Sequence, residues 1–404
     1  MKMRIWICAG VLTGGVVSTC LGEADLNRLV QGNTAFALEL YSKLGRTGNV
    51  FFSPYSISAA LAMTYGGGRG NTAAEMEKAL HFDLGPADPH PAFRELQNRL
   101  EALEAEGGIR LAIANSLWPQ KGYPFLQEYL NVIKSGYGAE ITPLDFQGET
   151  EGARITINRW VEEKTREKIK DLIAPGNLDP LTRLILVNAI YFKGSWASQF
   201  KPEQTAPADF FVTPDAPVQV PLMEQVRKFP YAEFDDCQVV KLPYAGNGLS
   251  MLVVLPRAKD GLATIESQLS TEKLTDWRAA LAEREVHVCL PKFKLTWGAA
   301  RLNEPLQALG MADAFSDARA DFSGMDGQRN WLYIGLVLHK AFVEVNEEGT
   351  EAAAATAVVT KARAVRPTSP PEFRADHPFL FLIQEEETGA ILFLGRMADP
   401  TKTE

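Results

Sequence analysis

Glu347-Glu348-Gly349-Thr350-Glu351-Ala352-Ala353-Ala354-Ala355-Thr356-Ala357-Val358-Val359-Thr360-Lys361-Ala362-Arg363-Ala364-Val365-Arg366-Pro367 is the stretch on which the reading of this chain turns. Gly349 and Pro367 bracket it, and neither residue type occurs from Thr350 to Arg366. Read with a period of two, one face carries Thr350, Ala352, Ala354, Thr356, Val358 and Thr360, all small or β-branched and uncharged. The other carries Glu351, Ala353, Ala355, Ala357, Val359 and Lys361. Side chains this small on both faces suit a segment that slides between existing strands. Four successive alanines are also strong helix formers, and on composition alone an Ala-rich helix followed by a loop is the better reading.

Outward from this stretch, strand patterns precede and follow it: Leu332 to Val345, Phe379 to Gln384 and Ile391 to Arg396. Arg183 to Phe192 is a nearly continuous apolar run, as a strand covered on both faces requires. Gln238 to Leu242 and Leu249 to Leu255 add two more, and Asn49 to Phe52 a short one. Helical spacing marks Leu26 to Tyr41, Ile155 to Ile169 and Thr271 to Ala282. Ser53-Pro54 reads as an N-cap followed by Pro at the first helical position, and Thr72-Ala73-Ala74-Glu75 as a capping box. Gly66-Gly67-Gly68-Arg69-Gly70 reads as a turn between helices, since no Gly-Lys-Ser/Thr follows it. Strands and helices mix without regular alternation, which points to an α+β fold with large, mostly antiparallel sheets.

The 404 residues are 46% hydrophobic and 23% charged, enough for a sizeable core. A net charge of -9 argues against nucleic acid or heparin as a partner. The stretch from Pro91 to Glu106 agrees, mixing Arg94 and Arg99 with Glu95, Glu101, Glu104 and Glu106. Lys2 and Arg4 precede an apolar run from Ile5 to Val17, the layout of a signal peptide over residues 1–22. A secreted, extracellular or periplasmic protein is therefore expected, with a lipid anchor at Cys20 as the lesser alternative. Of the four cysteines, Cys237 and Cys289 lie clear of this leader, and two free thiols are favoured over a bridge. The five histidines, His81, His90, His287, His339 and His377, share no ligand spacing. No His-Glu-x-x-His, Cys-x-x-Cys, Gly-x-Ser-x-Gly or Walker loop is present. Neither an enzyme nor a bound cofactor or metal is expected.

His339 to Thr356 resembles the hinge region of inhibitory serpins, and Phe373 to Ile383 resembles that family's signature beyond the bait loop. Asn49 to Ser58, Gly70-Asn71-Thr72 and Asn188 to Trp196 resemble further serpin blocks, in the right order. The resemblance implies one domain over residues 23–404, with three sheets, about nine helices and an exposed reactive-centre loop at about 347–367. It implies a monomeric inhibitor whose loop is attacked as a substrate and then inserts into the main sheet, holding the protease as an acyl-enzyme. Family spacing implies Arg363–Ala364 as the reactive bond, with Lys361 and Arg366 as competing baits. An Arg there suits a trypsin-like protease. The hinge would be Gly349, Thr350, Glu351, Ala352, Ala353, Ala354, Ala355 and Thr356. Ser53, Ser56, Asn188, His339, Trp196 and Glu347 would hold the sheet where it opens, with Arg301 as a partner for Glu347. Asn188, in an apolar strand, needs partners, and His339 and Ser53 are the candidates. Small residues at Ala352 to Ala355 weigh against a non-inhibitory carrier or chaperone. An unrelated secreted hydrolase would need an active-site constellation that the sequence does not display.

Overall fold

The computed structural model describes residues 14–45, 47–84, 89–350 and 369–403, with side chains throughout except at 14–21, 112–114, 188–189 and 298–300. The first third of the chain holds α1 (Gly14–Lys43), β1 (Val50–Phe52), α2 (Pro54–Tyr65), α3 (Gly70–Ala79), α4 (Pro89–Glu106), β2 (Ile109–Pro119) and α5 (Gln127–Tyr137). Then come β3 (Glu140–Ile141), α6 (Thr150–Lys164), β4 (Leu184–Ser195), β5 (Thr205–Thr213), β6 (Ala216–Glu233), β7 (Cys237–Pro243) and β8 (Leu249–Pro256). The last third holds α7 (Leu262–Ser267), α8 (Thr271–Ala280), β9 (Ala282–Pro291), β10 (Phe293–Arg301), α9 (Asn303–Ala308) and α10 (Ser323–Asp326). It ends with β11 (Leu338–Val345), β12 (Gly349–Thr350), β13 (Glu372–Arg374), β14 (Phe379–Glu385) and β15 (Ile391–Met397).

The main sheet has six strands in the order β10-β11-β12-β4-β2-β3. The other nine hydrogen-bond continuously, but the long β6 serves two sheets. Its first residues pair with β5 and its middle with β9, while only Tyr231 to Glu233 reach β7. Three sheets result, and ten α-helices lie among the described residues. Pairing is antiparallel except at β2–β3 and β9–β13. This is the α+β fold expected.

Local chemistry explains several boundaries. Ser53 caps α2, its Oγ accepting from the Ser56 N–H at 3.1 Å, with Pro54 in the first turn. The expected capping box does not form. Arg69 is the N-cap of α3, Thr72 Oγ1 accepts from Asp321 N–H, and a Glu75 oxygen accepts from Asp313 N–H. Both side chains are drawn to distant backbone donors. β11 begins at Leu338 rather than Leu332, because Asn303 takes the Val337 N–H at 2.9 Å and donates to the Gly335 carbonyl. Phe51 stacks on Phe381 and Phe393 in the main core, and a smaller cluster of Trp118, Phe146, Ile157, Val161 and Val187 seats α6 on the main sheet. Each such side chain contributes about 1.5–3 kcal/mol when fully buried.

Candidate functional site

β11 alternates, with His339, Ala341, Val343 and Val345 buried and the residues between them half-buried. The chain then reverses. Asn346 N–H donates to the Gly349 carbonyl at 2.9 Å and Gly349 N–H returns to the Asn346 carbonyl at 3.3 Å, closing a two-residue turn. The Asn346 side-chain oxygen also accepts from the Glu348 and Gly349 N–H groups. Gly349 and Thr350 next pair with Ser195 and Gly194 of β4, and Thr350 with Val345 of β11. The start of the expected hinge is thus a strand seated between β11 and β4. Glycine is obligatory at 349, where a Cβ would lie 2.0 Å from the Gly194 carbonyl oxygen.

Thr350 is buried, with its hydroxyl 2.8 Å from that of Tyr244. Burial pushes the Tyr244 phenol up, so it is a neutral donor or acceptor here. Trp196 stacks on Tyr244 at 4.7 Å and donates from Nε1 to the Asn346 carbonyl at 3.0 Å. Glu347 is buried at the turn. Its carboxylate accepts from Lys292 Nζ at 2.8 Å and from Thr205 Oγ1 at 2.8 Å. Burial alone would raise its pKa, but the hydrogen bonds and charge of Lys292, a backbone N–H and Thr205 outweigh that and hold it below the usual range. Arg301 is not its partner, donating instead to Asn177.

Further along β11, His339 Nε2 accepts from the Ser53 N–H at 3.0 Å. Burial pushes this imidazole down to about 3, so it is neutral, with Nε2 as acceptor and the proton placed by inference on Nδ1. Ser53 and Ser56 are buried with it at the start of α2. The backbone of Asn188 stands opposite Asn115 in the β2–β4 pair, while its side chain lies outside the described residues. Glu351, Ala352, Ala353, Ala354, Ala355, Thr356, Lys361, Arg363, Ala364 and Arg366 also lie outside them. The chain returns at β13, which pairs with β9 in a different sheet. Ser53, His339, Trp196, Glu347, Gly349 and Thr350 therefore line one seam of the main sheet. Sequence reasoning missed Lys292, Thr205 and Tyr244, for which no local signal exists. Cys237 and Cys289 are free and buried, and burial pushes both thiols up to about 12.

Gly349 and Thr350 thus form a short strand between β4 and β11 in the main sheet. The family model described as serpin (serine protease inhibitor) matches residues 31–400, and the chain belongs to that family. It is 44% identical over 386 residues to leukocyte elastase inhibitor A of Rattus norvegicus, across 93% of this chain and 100% of the relative. It is 46% identical over 384 residues to serpin B6 of Bos taurus, with the same two shares. The structure of uncleaved ovalbumin superposes with a TM-score of 0.82 at 33% identity, covering 92% of this chain and 100% of that one. These relatives correct one expectation. Leukocyte elastase inhibitor and serpin B6 are intracellular serpins, so the reading of a secreted or periplasmic protein, with its signal peptide and Cys20 anchor, is not supported.

Proposed function

We propose that this chain traps trypsin-like, Arg-specific serine proteases, offering the Arg363–Ala364 bond and drawing the cut loop between β4 and β11. The register of β12 carries the reading. Continued antiparallel from Gly349 opposite Ser195, the loop would meet β4 residue for residue until Thr360 stood opposite Leu184, where β4 begins. At roughly 3.3 Å per residue, the dozen residues from Gly349 to Thr360 span about 40 Å. A protease serine attacking the Arg363 carbonyl forms an acyl-enzyme as the Ala364 amine leaves. Arg363 would then come to rest just beyond the far end of the sheet with the protease attached. A new central strand gains ladder hydrogen bonds on both sides at about 1 kcal/mol net each. The sum, on the order of 10 kcal/mol, compares with the stability of a whole domain. It suffices to distort a protease active site.

An elastase-like target is the second reading, favoured by the name of the leukocyte elastase inhibitors that the chain resembles. Incubation with trypsin and with elastase, followed by denaturing electrophoresis and mass spectrometry of the released peptide, separates the two. The expected result is a stable adduct with trypsin and cleavage after Arg363. Arg363→Glu should abolish that adduct and leave the melting curve unchanged. An adduct with elastase alone supports the second reading. Cleavage without any adduct supports a non-inhibitory carrier or chaperone.

A further inference from the structure

Away from the hinge, β6 and β9 bring Glu224, His287 and Cys289 to one face of their sheet. Cys289 stands opposite Glu224 and His287 precedes it by two residues, so strand alternation projects all three to the same side. His287 Nε2 lies 3.2 Å from a Glu224 carboxylate oxygen and 3.6 Å from Cys289 Sγ. The three donor atoms all fall within 4.8 Å of one another. In a tetrahedral zinc site with ordinary bond lengths, N and O ligands stand about 3.4 Å apart and N and S ligands about 3.6 Å. The other ring nitrogen, Nδ1, faces Glu372 of β13 at 3.7 Å. A carboxylate on the far nitrogen is the partner that leaves Nε2 free for a metal.

We propose that Glu224, His287 and Cys289 form a site for zinc or a divalent metal of similar softness, with a fourth position open to solvent. One oxygen, one imidazole and one thiolate suit such an ion better than magnesium or calcium. Glu224 and His287 are partly exposed and provide access, while the thiol is buried beneath them. On binding, the metal takes the place of the thiol proton, which leaves to solvent. Arg374 faces the same group, with Nη1 3.9 Å from Sγ and 3.7 Å from Glu372. It already pairs with Asp376 at 3.3 Å, to which it can turn as the ion arrives. The site does not depend on how the loop is used. It does reach the loop's downstream anchor, since β13 holds β9 through only three residue pairs and His287 ties to Glu372.

The test is a titration of the metal-free, full-length protein with Co²⁺, followed by absorption spectroscopy and displacement with Zn²⁺. The expected result is saturation near one metal per chain, with a thiolate-to-cobalt charge-transfer band and the strong visible bands of four-coordinate cobalt, bleached by zinc. Cys289→Ser should remove the charge-transfer band. Glu224→Gln, nearly isosteric and at a half-exposed position, and His287→Ala should each weaken binding at least about ten-fold. Cys237→Ser should change nothing. Absence of the band in the parent protein overturns the proposal. So does a band that survives Cys289→Ser or disappears with Cys237→Ser, or an affinity indifferent to both Glu224→Gln and His287→Ala.

Discussion

Thr350 meets Tyr244 at the point where the loop joins the main sheet, and a charge placed there tests the seam directly. Thr350→Arg would bury a guanidinium without a partner, an effective penalty of several kcal/mol. The hinge should then fail to seat, and insertion should lose its race with deacylation, which depends on the protease alone. Cleaved inhibitor and active protease should replace the covalent complex on denaturing gels, and an unchanged complex yield would show that insertion does not begin at this residue. His339 governs a second property. An unfolded His titrates near about 6.5, whereas burial pushes the folded one down to about 3. Between those values the unfolded chain holds a proton that the folded chain lacks. Stability therefore falls as pH drops through that window, by up to about 1.4 kcal/mol per unit, with no loss above it. His339→Gln keeps an acceptor for Ser53 and should flatten the slope measured by denaturant unfolding between about pH 7 and pH 5. Ser53, His339 and the hinge glycine were legible as family words, while the salt bridge of Glu347 was not. Lys292 lies 55 residues away, and only the tertiary fold brings the two together.

At the level of elements, the start of α2 was readable because Ser-Pro writes a cap in the local sequence. Ser53→Ala should cost about 1 kcal/mol through loss of that cap. Urea unfolding with an unchanged m-value would check it, and a loss within error would mean that water replaces Oγ. The capping box at Thr72 looked equally good in sequence and failed, since Asp321 and Asp313 offer backbone donors from another segment. The β5–β6 pair went unread for a different reason. Its burial alternates only loosely, and Pro207, Pro217 and Pro221 interrupt the strand pattern. Edge and bulged strands follow their neighbours more than their own residues. The long apolar runs were readable as strands: β8 is buried throughout, and β4 is half-buried from Leu184 to Leu186 and buried at Val187 and from Ile190 to Phe192.

For the molecule as a whole, a loop cut after Arg363 but holding no protease should still be drawn in. The unfolding temperature of the nicked protein should rise well above that of the intact one, since the main sheet gains a central strand. Coincident melting curves for the two forms would show that the cut loop stays outside. The two residue pairs that Gly349 and Thr350 make with β4 have a consequence of their own. They set a phase. With Thr350 facing Tyr244, every even-numbered residue that follows is destined for the inside of the sheet and every odd one for the outside. Deleting Ala353 alone would exchange the two sets and send Lys361 inward near Leu184, whereas deleting Ala353 and Ala354 together would restore the order in a slightly shorter loop. Measured as the yield of covalent complex per cleavage, the smaller deletion should do the greater harm.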